Sequence, residues 1–150
     1  TNTLKERNIF AQEVEKIVKK IKDSGAEAAL YMIHAYVEPH EDTNPQMINN
    51  IKQMYIDAGN KNDALVIPVG IAFEKAYKAQ KNIQLHKHYD GTHPNILGTY
   101  LASCVVFASI THLSPLNIQY SYYDKISKED KEFLQNIAKE TVEDFYNIDL

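Results

Sequence analysis

A chain of 150 residues with 44% hydrophobic and 24% charged residues is long enough for one buried core and lies in the globular range. Its net charge of −4 comes from mixed signs scattered along the sequence, so no basic stripe suits nucleic acid and no polybasic patch suits an anionic membrane. The single cysteine, Cys104, excludes an internal disulfide and leaves the compartment open, a secreted or periplasmic parent included. The longest apolar run, within residues 101–110, is too short to cross a bilayer and is broken by Ser103, Cys104 and Ser109, so it reads as a buried helix in a soluble domain. The chain opens directly in a polar, helix-like stretch without a methionine or a signal segment, and is expected to be cut from something longer.

In chain order, Phe10, Val14, Ile17, Val18 and Ile21 make an apolar stripe on a first helix that ends at Gly25. The continuous run from Ala28 to Ile33 predicts a buried parallel strand. After a polar loop holding Glu38, His40 and Glu41, Thr43 or Asn44 is placed to cap a second helix with Pro45 in its first turn. Met47, Ile48, Ile51, Met54, Tyr55 and Ala58 form the inner face of that helix, and Gly59 is expected to stop it. The run from Ala64 to Val69 reads as a second buried strand, followed by a short helix through Phe73, Ala76 and Tyr77 and an extended piece at Ile83-Gln84-Leu85. An apolar helix is expected from about Asn95 to His112, where Gly98 calls for close packing and Cys104 reads as a small core hydrophobe. A linker with Tyr120, Tyr122 and Tyr123, read as packed, leads to an amphipathic helix at about 127–147, opened by a capping-box-like Ser127 and Asp130. This order of helices and strands predicts one α/β domain with a parallel sheet over residues 1–150, with strands missing on its N-terminal side.

One loop carries the chemistry. In Asp90-Gly91-Thr92-His93-Pro94 an acid stands three residues before a histidine on a turn stiffened by glycine and proline. The carboxylate can accept the Nδ1 proton, which fixes the tautomer and leaves Nε2 free to take a proton from a nucleophile. His34 and Tyr36 stand at the C-terminal end of a strand, where open α/β sheets place their ligands, and are candidates to line a substrate site.

The Asp-x-x-His-Pro block, the following Gly98-Thr99-Tyr100-Leu101-Ala102 and the upstream Val66-Ile67-Pro68-Val69-Gly70 together resemble the C-terminal half of an SGNH (GDSL-type) hydrolase, over roughly residues 26–116. The resemblance implies a flavodoxin-like α/β/α sandwich of which only the C-terminal part is present. It also implies a serine esterase or deacetylase acting on a small-molecule or carbohydrate ester, with His93 as the catalytic base, Asp90 orienting it, and no cofactor. The family's Gly-Asp-Ser nucleophile turn and its oxyanion-hole glycine and asparagine normally precede this region and have no counterpart here. The nucleophile half is therefore the expected partner, and these 150 residues alone are expected to be inactive.

Two other readings stay open. His86, His88, Asp90 and His93 form His-x-His-x-Asp-x-x-His, which resembles the metal-binding signature of metallo-β-lactamase-like hydrolases, although there the last histidine follows the aspartate directly. A non-catalytic interaction module derived from a hydrolase is the third.

Overall fold

The computed structural model describes residues 4–150. The chain runs through α1 (Leu4–Asp23), β1 (Ala29–Tyr31), α2 (Met47–Asn62), β2 (Leu65–Ile67), α3 (Val69–Ala79), α4 (Ile96–Thr111), a 3-10 turn (Pro115–Asn117) and α5 (Lys128–Tyr146). Helix dominates, and the described strands form one short parallel pair in the register Ala29↔Leu65 to Tyr31↔Ile67. The α/β class expected from the sequence is therefore present.

The side chains of β2 alternate. Leu65 and Ile67 enter a core built with α3, α4 and α5, whereas Val66 enters a second core with Met32, Met47, Ile51 and Tyr55. The first core holds the fully buried Phe73, Leu85, Leu101, Val105, Leu134 and Val142. Cys104 lies there as expected, and burial pushes its thiol up to about 11. Gln135 on α5 is buried because its amide donates to the Tyr100 hydroxyl at 3.0 Å and the Ile118 carbonyl at 2.8 Å.

β1 departs from the expectation of a buried strand. Ala29 and Tyr31 are exposed and Leu30 half-buried, and the alternation continues just past the strand, where Met32 is fully buried and Ile33, like Tyr31, is 43% exposed. The reason is its position: among the described strands β1 pairs only with β2, so its other edge is open. Helix α1 packs on α2 through Phe10 and Tyr55, whose ring centroids lie 5.1 Å apart, and buries Val18. Ile17 is 56% exposed and does not belong to the inner stripe. It precedes Val18 by one position, which rotates it about 100° around the helix.

Several boundaries differ from the sequence reading. Helix α2 starts at Met47, after a turn in which Asn44 Oδ1 accepts the Gln46 N–H at 2.8 Å, so neither Thr43 nor Asn44 is its N-cap. It also runs past Gly59 to a left-handed Asp63. Gly59 is a packing residue: a Cβ there would stand 2.2 Å from the Val66 Cγ2 methyl. Segment 83–85 forms no third strand, and its neighbour His86 makes only a single antiparallel bridge with Pro94. Gly98 meets its expectation, since a Cβ there would stand 2.2 Å from the Leu85 carbonyl oxygen. Helix α5 starts after Ser127, whose hydroxyl accepts the Asp130 N–H at 3.0 Å. The tyrosine linker is not packed: Tyr120, Tyr122 and Tyr123 are exposed and meet one another edge-on.

Candidate active site

The loop between His86 and Pro94 folds back on itself before α4. Lys87 N–H donates to the His93 carbonyl at 2.8 Å, and the Lys87 carbonyl accepts from Asp90 and Gly91 N–H at 3.3 and 3.1 Å. The turn needs a glycine at position 91 for two reasons: φ is +63°, and a Cβ would stand 1.9 Å from the Val37 carbonyl oxygen. In return the Gly91 carbonyl accepts the Val37 N–H at 3.0 Å, which ties the loop to the segment leaving β1.

Within this turn the Asp90 carboxylate is divided between two tasks. Oδ1 accepts the backbone N–H groups of Thr92 at 2.8 Å and His93 at 3.0 Å, and Oδ2 lies 2.9 Å from His93 Nδ1. The backbone donors of Thr92 and His93, with the His93 ring behind them, hold the Asp90 carboxyl at about 2. Asp90 is thus an ionised, acceptor-only partner, so His93 Nδ1 carries the proton of this bond. In the neutral ring Nε2 then bears the lone pair. The imidazole side chain is 69% exposed, so that nitrogen is open to a reacting group. Asp90 does not cap α4. That task falls to Asn95, whose Oδ1 accepts from Leu97 and Gly98 N–H while its amide donates to the Gln84 carbonyl at 2.7 Å.

His34 lies on the segment that leaves β1 and lines a small hollow of about 200 Å³ with Phe10, Tyr36 and Met47. Its ring stacks on Phe73 with centroids 4.5 Å apart, and its Nδ1 lies 2.9 Å from His86 Nε2. His86 is 3% exposed, and its Nδ1 lies 2.7 Å from the Tyr77 hydroxyl. Burial, with the adjoining His34, lowers the His86 pKa to about 4. Burial likewise lowers that of His34, with the Ala35 carbonyl opposing and the neighbouring His93 adding to the effect. Tyr36 is half-buried, faces His40 with centroids 4.1 Å apart, and lines a cleft of about 300 Å³ together with Phe73, Tyr77 and His86. A larger hollow of about 760 Å³, bounded by Lys22, Gly25 and Asp63, lies at the other end of the strands, away from these histidines. In parallel sheets ligands sit at the C-terminal strand ends, which favours the smaller cleft.

The four-residue metal set is not assembled. His86 spends both ring nitrogens on Tyr77 and His34, Asp90 pairs with His93, and His88 packs edge-on against Tyr89. Among the described residues no three histidine, cysteine or acidic side chains converge to hold a metal ion. Alternate positions share a side only while the chain stays extended, and here it turns at His88.

The hydroxyls of Ser109 and Ser114 are buried without a hydrogen-bond partner among the described residues, and the other four serines are engaged locally. Ser103 Oγ donates to the Thr99 carbonyl, Ser24 Oγ to that of Ile21, and Ser121 and Ser127 pair with Asp124 and Asp130. The chain of Tyr77, His86 and His34 was not legible as a unit, because Tyr77 reads as one more inward position of α3.

No family model and no curated protein matches the sequence. Similarity comes from structure. A solved structure of a DUF4886 family protein from Bacteroides uniformis superimposes with a TM-score of 0.81 and 18% sequence identity, covering 96% of this chain. At that identity the likeness concerns the fold, and the chain spans 59% of the length of that structure.

Proposed function

We propose that this chain is the Asp–His portion of an SGNH-type serine ester hydrolase with a flavodoxin-like, three-layer fold. The observation that carries the reading is the Asp90–His93 pair: a carboxylate fixed by two backbone donors, a 2.9 Å bond to Nδ1, and an exposed Nε2. The open edge of β1 beside exposed Tyr31 and Ile33 supports it, because parallel strands are ordinarily covered and paired on both sides. A nucleophile-bearing segment of the same fold would pair there.

In the reaction His93 Nε2 accepts the serine proton as the serine oxygen attacks the ester carbonyl. The imidazolium, held by Asp90, then gives that proton to the leaving alcohol, and an acyl-serine remains. Water repeats the cycle: His93 takes its proton, the acyl group leaves as the acid, and serine recovers its hydrogen. The substrate class is an ester such as an O-acetylated carbohydrate. Among the described residues no helix is long and apolar enough to cross a membrane.

The test is intact-mass spectrometry before and after a fluorophosphonate that labels activated serines. The 17.2 kDa chain is expected to stay unlabelled, and a polypeptide that also carries the nucleophile segment is expected to take up one label. In that longer protein His93→Ala and Asp90→Asn should lower turnover by about three to four orders of magnitude at unchanged melting temperature. Near-normal turnover of the His93→Ala protein would sink the assignment. A longer protein that takes no label would favour a non-catalytic module.

A further inference from the structure

The hydrogen bonds behind the site have a direction. The Tyr77 oxygen accepts the Leu85 N–H at 3.2 Å, and His86 Nδ1 is the acceptor within reach of its hydroxyl hydrogen among the described residues. Its own proton is then the one in the 2.7 Å bond to His86 Nδ1. An imidazole that accepts at Nδ1 and is neutral carries its hydrogen on Nε2, so His86 donates to His34 Nδ1 at 2.9 Å. The same step repeats on His34. Its Nδ1 meets His86 at 2.9 Å and the Ala35 carbonyl at the longer 3.4 Å, so the shorter bond makes it an acceptor and puts its hydrogen on Nε2, an atom with no protein partner among the described residues.

We infer that Tyr77 and His86 are positioning residues that lock His34 as a neutral Nε2–H donor, which binds the carbonyl oxygen or developing oxyanion of an ester substrate at the C-terminal end of β1. The inference rests on the ester-hydrolase reading for the identity of the acceptor, and on the hydrogen-bond chain for the donor. Stacking on Phe73 holds the ring plane, and Gly91, bonded to Val37, brings the Asp90–His93 loop to the same side of the fold. His34 and His93 thus play opposite parts: one ring presents a hydrogen, the other a lone pair. A neutral imidazole suits the first task because it donates without carrying a charge that the apolar stack would have to solvate.

The first test is the tautomer. Long-range proton–nitrogen spectra of the 15N-histidine-labelled chain at pH 7.5 should show both His86 and His34 protonated on Nε2, whereas an Nδ1–H form of His34 would overturn the inference. In Tyr77→Phe the lock is removed, so a second, Nδ1–H population of His34 should appear; an unchanged His34 pattern would refute the relay. If that variant does not fold, His86→Phe gives the same reading. Methylphosphonate, a tetrahedral oxyanion mimic, should shift the His34 Nε2–H resonance saturably in the parent chain and more weakly in Tyr77→Phe. No shift would remove the acceptor site.

In the complete enzyme His34→Ala should lower kcat by about 100-fold with KM nearly unchanged, and His34→Gln, whose amide can still donate, should recover part of the loss. Equal loss in both variants would leave His34 a packing residue and overturn its role. The tautomer and methylphosphonate experiments need no nucleophile, so their failure is distinct from failure of the fluorophosphonate label.

Discussion

Acidification from pH 7 to pH 5 should destabilise this protein through its buried histidines. His86 has its pKa lowered from 6.5 to about 4 by burial first and the neighbouring His34 second. The unfolded chain therefore binds a proton that the folded chain refuses. The stabilisation is fully present above about pH 6.5 and is lost as pH falls toward 4. A gap of that size is worth about 3 kcal/mol in full, and integrating the linkage between pH 7 and pH 5 gives about 2 kcal/mol. His34 acts in the same direction, so the slope belongs to the pair. The lowered carboxyls of Asp90, Glu15 and Glu143 act below about pH 4.5 and leave this window to the histidines. Urea unfolding at pH 7, 6 and 5 measures it. With a slope of roughly 2 kcal/mol/M, the midpoint should fall by about 1 M at constant m-value. A His86→Phe variant should lose most of the pH dependence. A midpoint that stays flat from pH 7 to pH 5 in the parent chain would refute the assignment of His86 as a buried neutral ring.

Gly91→Ala should cost about 2–3 kcal/mol in urea unfolding, because the new methyl meets the Val37 carbonyl at 1.9 Å and the residue keeps a positive φ. The Asp90–His93 bond should loosen with it, visible as a changed His93 nitrogen shift; parent-like stability with an unchanged shift would count against the turn described above. Asn95→Ala should lower stability by about 1–2 kcal/mol, since the N-cap bonds to Leu97 and Gly98 and the bond to Gln84 are lost together. Asn95→Asp should recover the capping share, and equal destabilisation by both substitutions would locate the effect in the Gln84 bond.

The sequence by itself determined the helices whose signals are local. Asn95 to His112 and Ser127 to Asn147 bound α4 and α5 almost to the residue, because a capping side chain at one end and a left-handed residue at the other need no distant partner. It also determined the Asp90–His93 pair, whose members are close enough in sequence for one turn to bring them together. Gly59 reads as a stop because a glycine in a helix looks like one until Val66, from the following strand, is known to lie against it. The burial of β1 is not readable from the sequence, because an apolar run does not reveal how many neighbours a strand has, and among the described strands only β2 pairs with it. The metal reading required His86 and His88 to face one way, a condition lost where the chain turns at His88. Only tertiary structure decided that His34, His86 and Tyr77 meet. They come from three separate segments, and the bonds that join their rings depend on how those segments pack, which no spacing along the chain encodes.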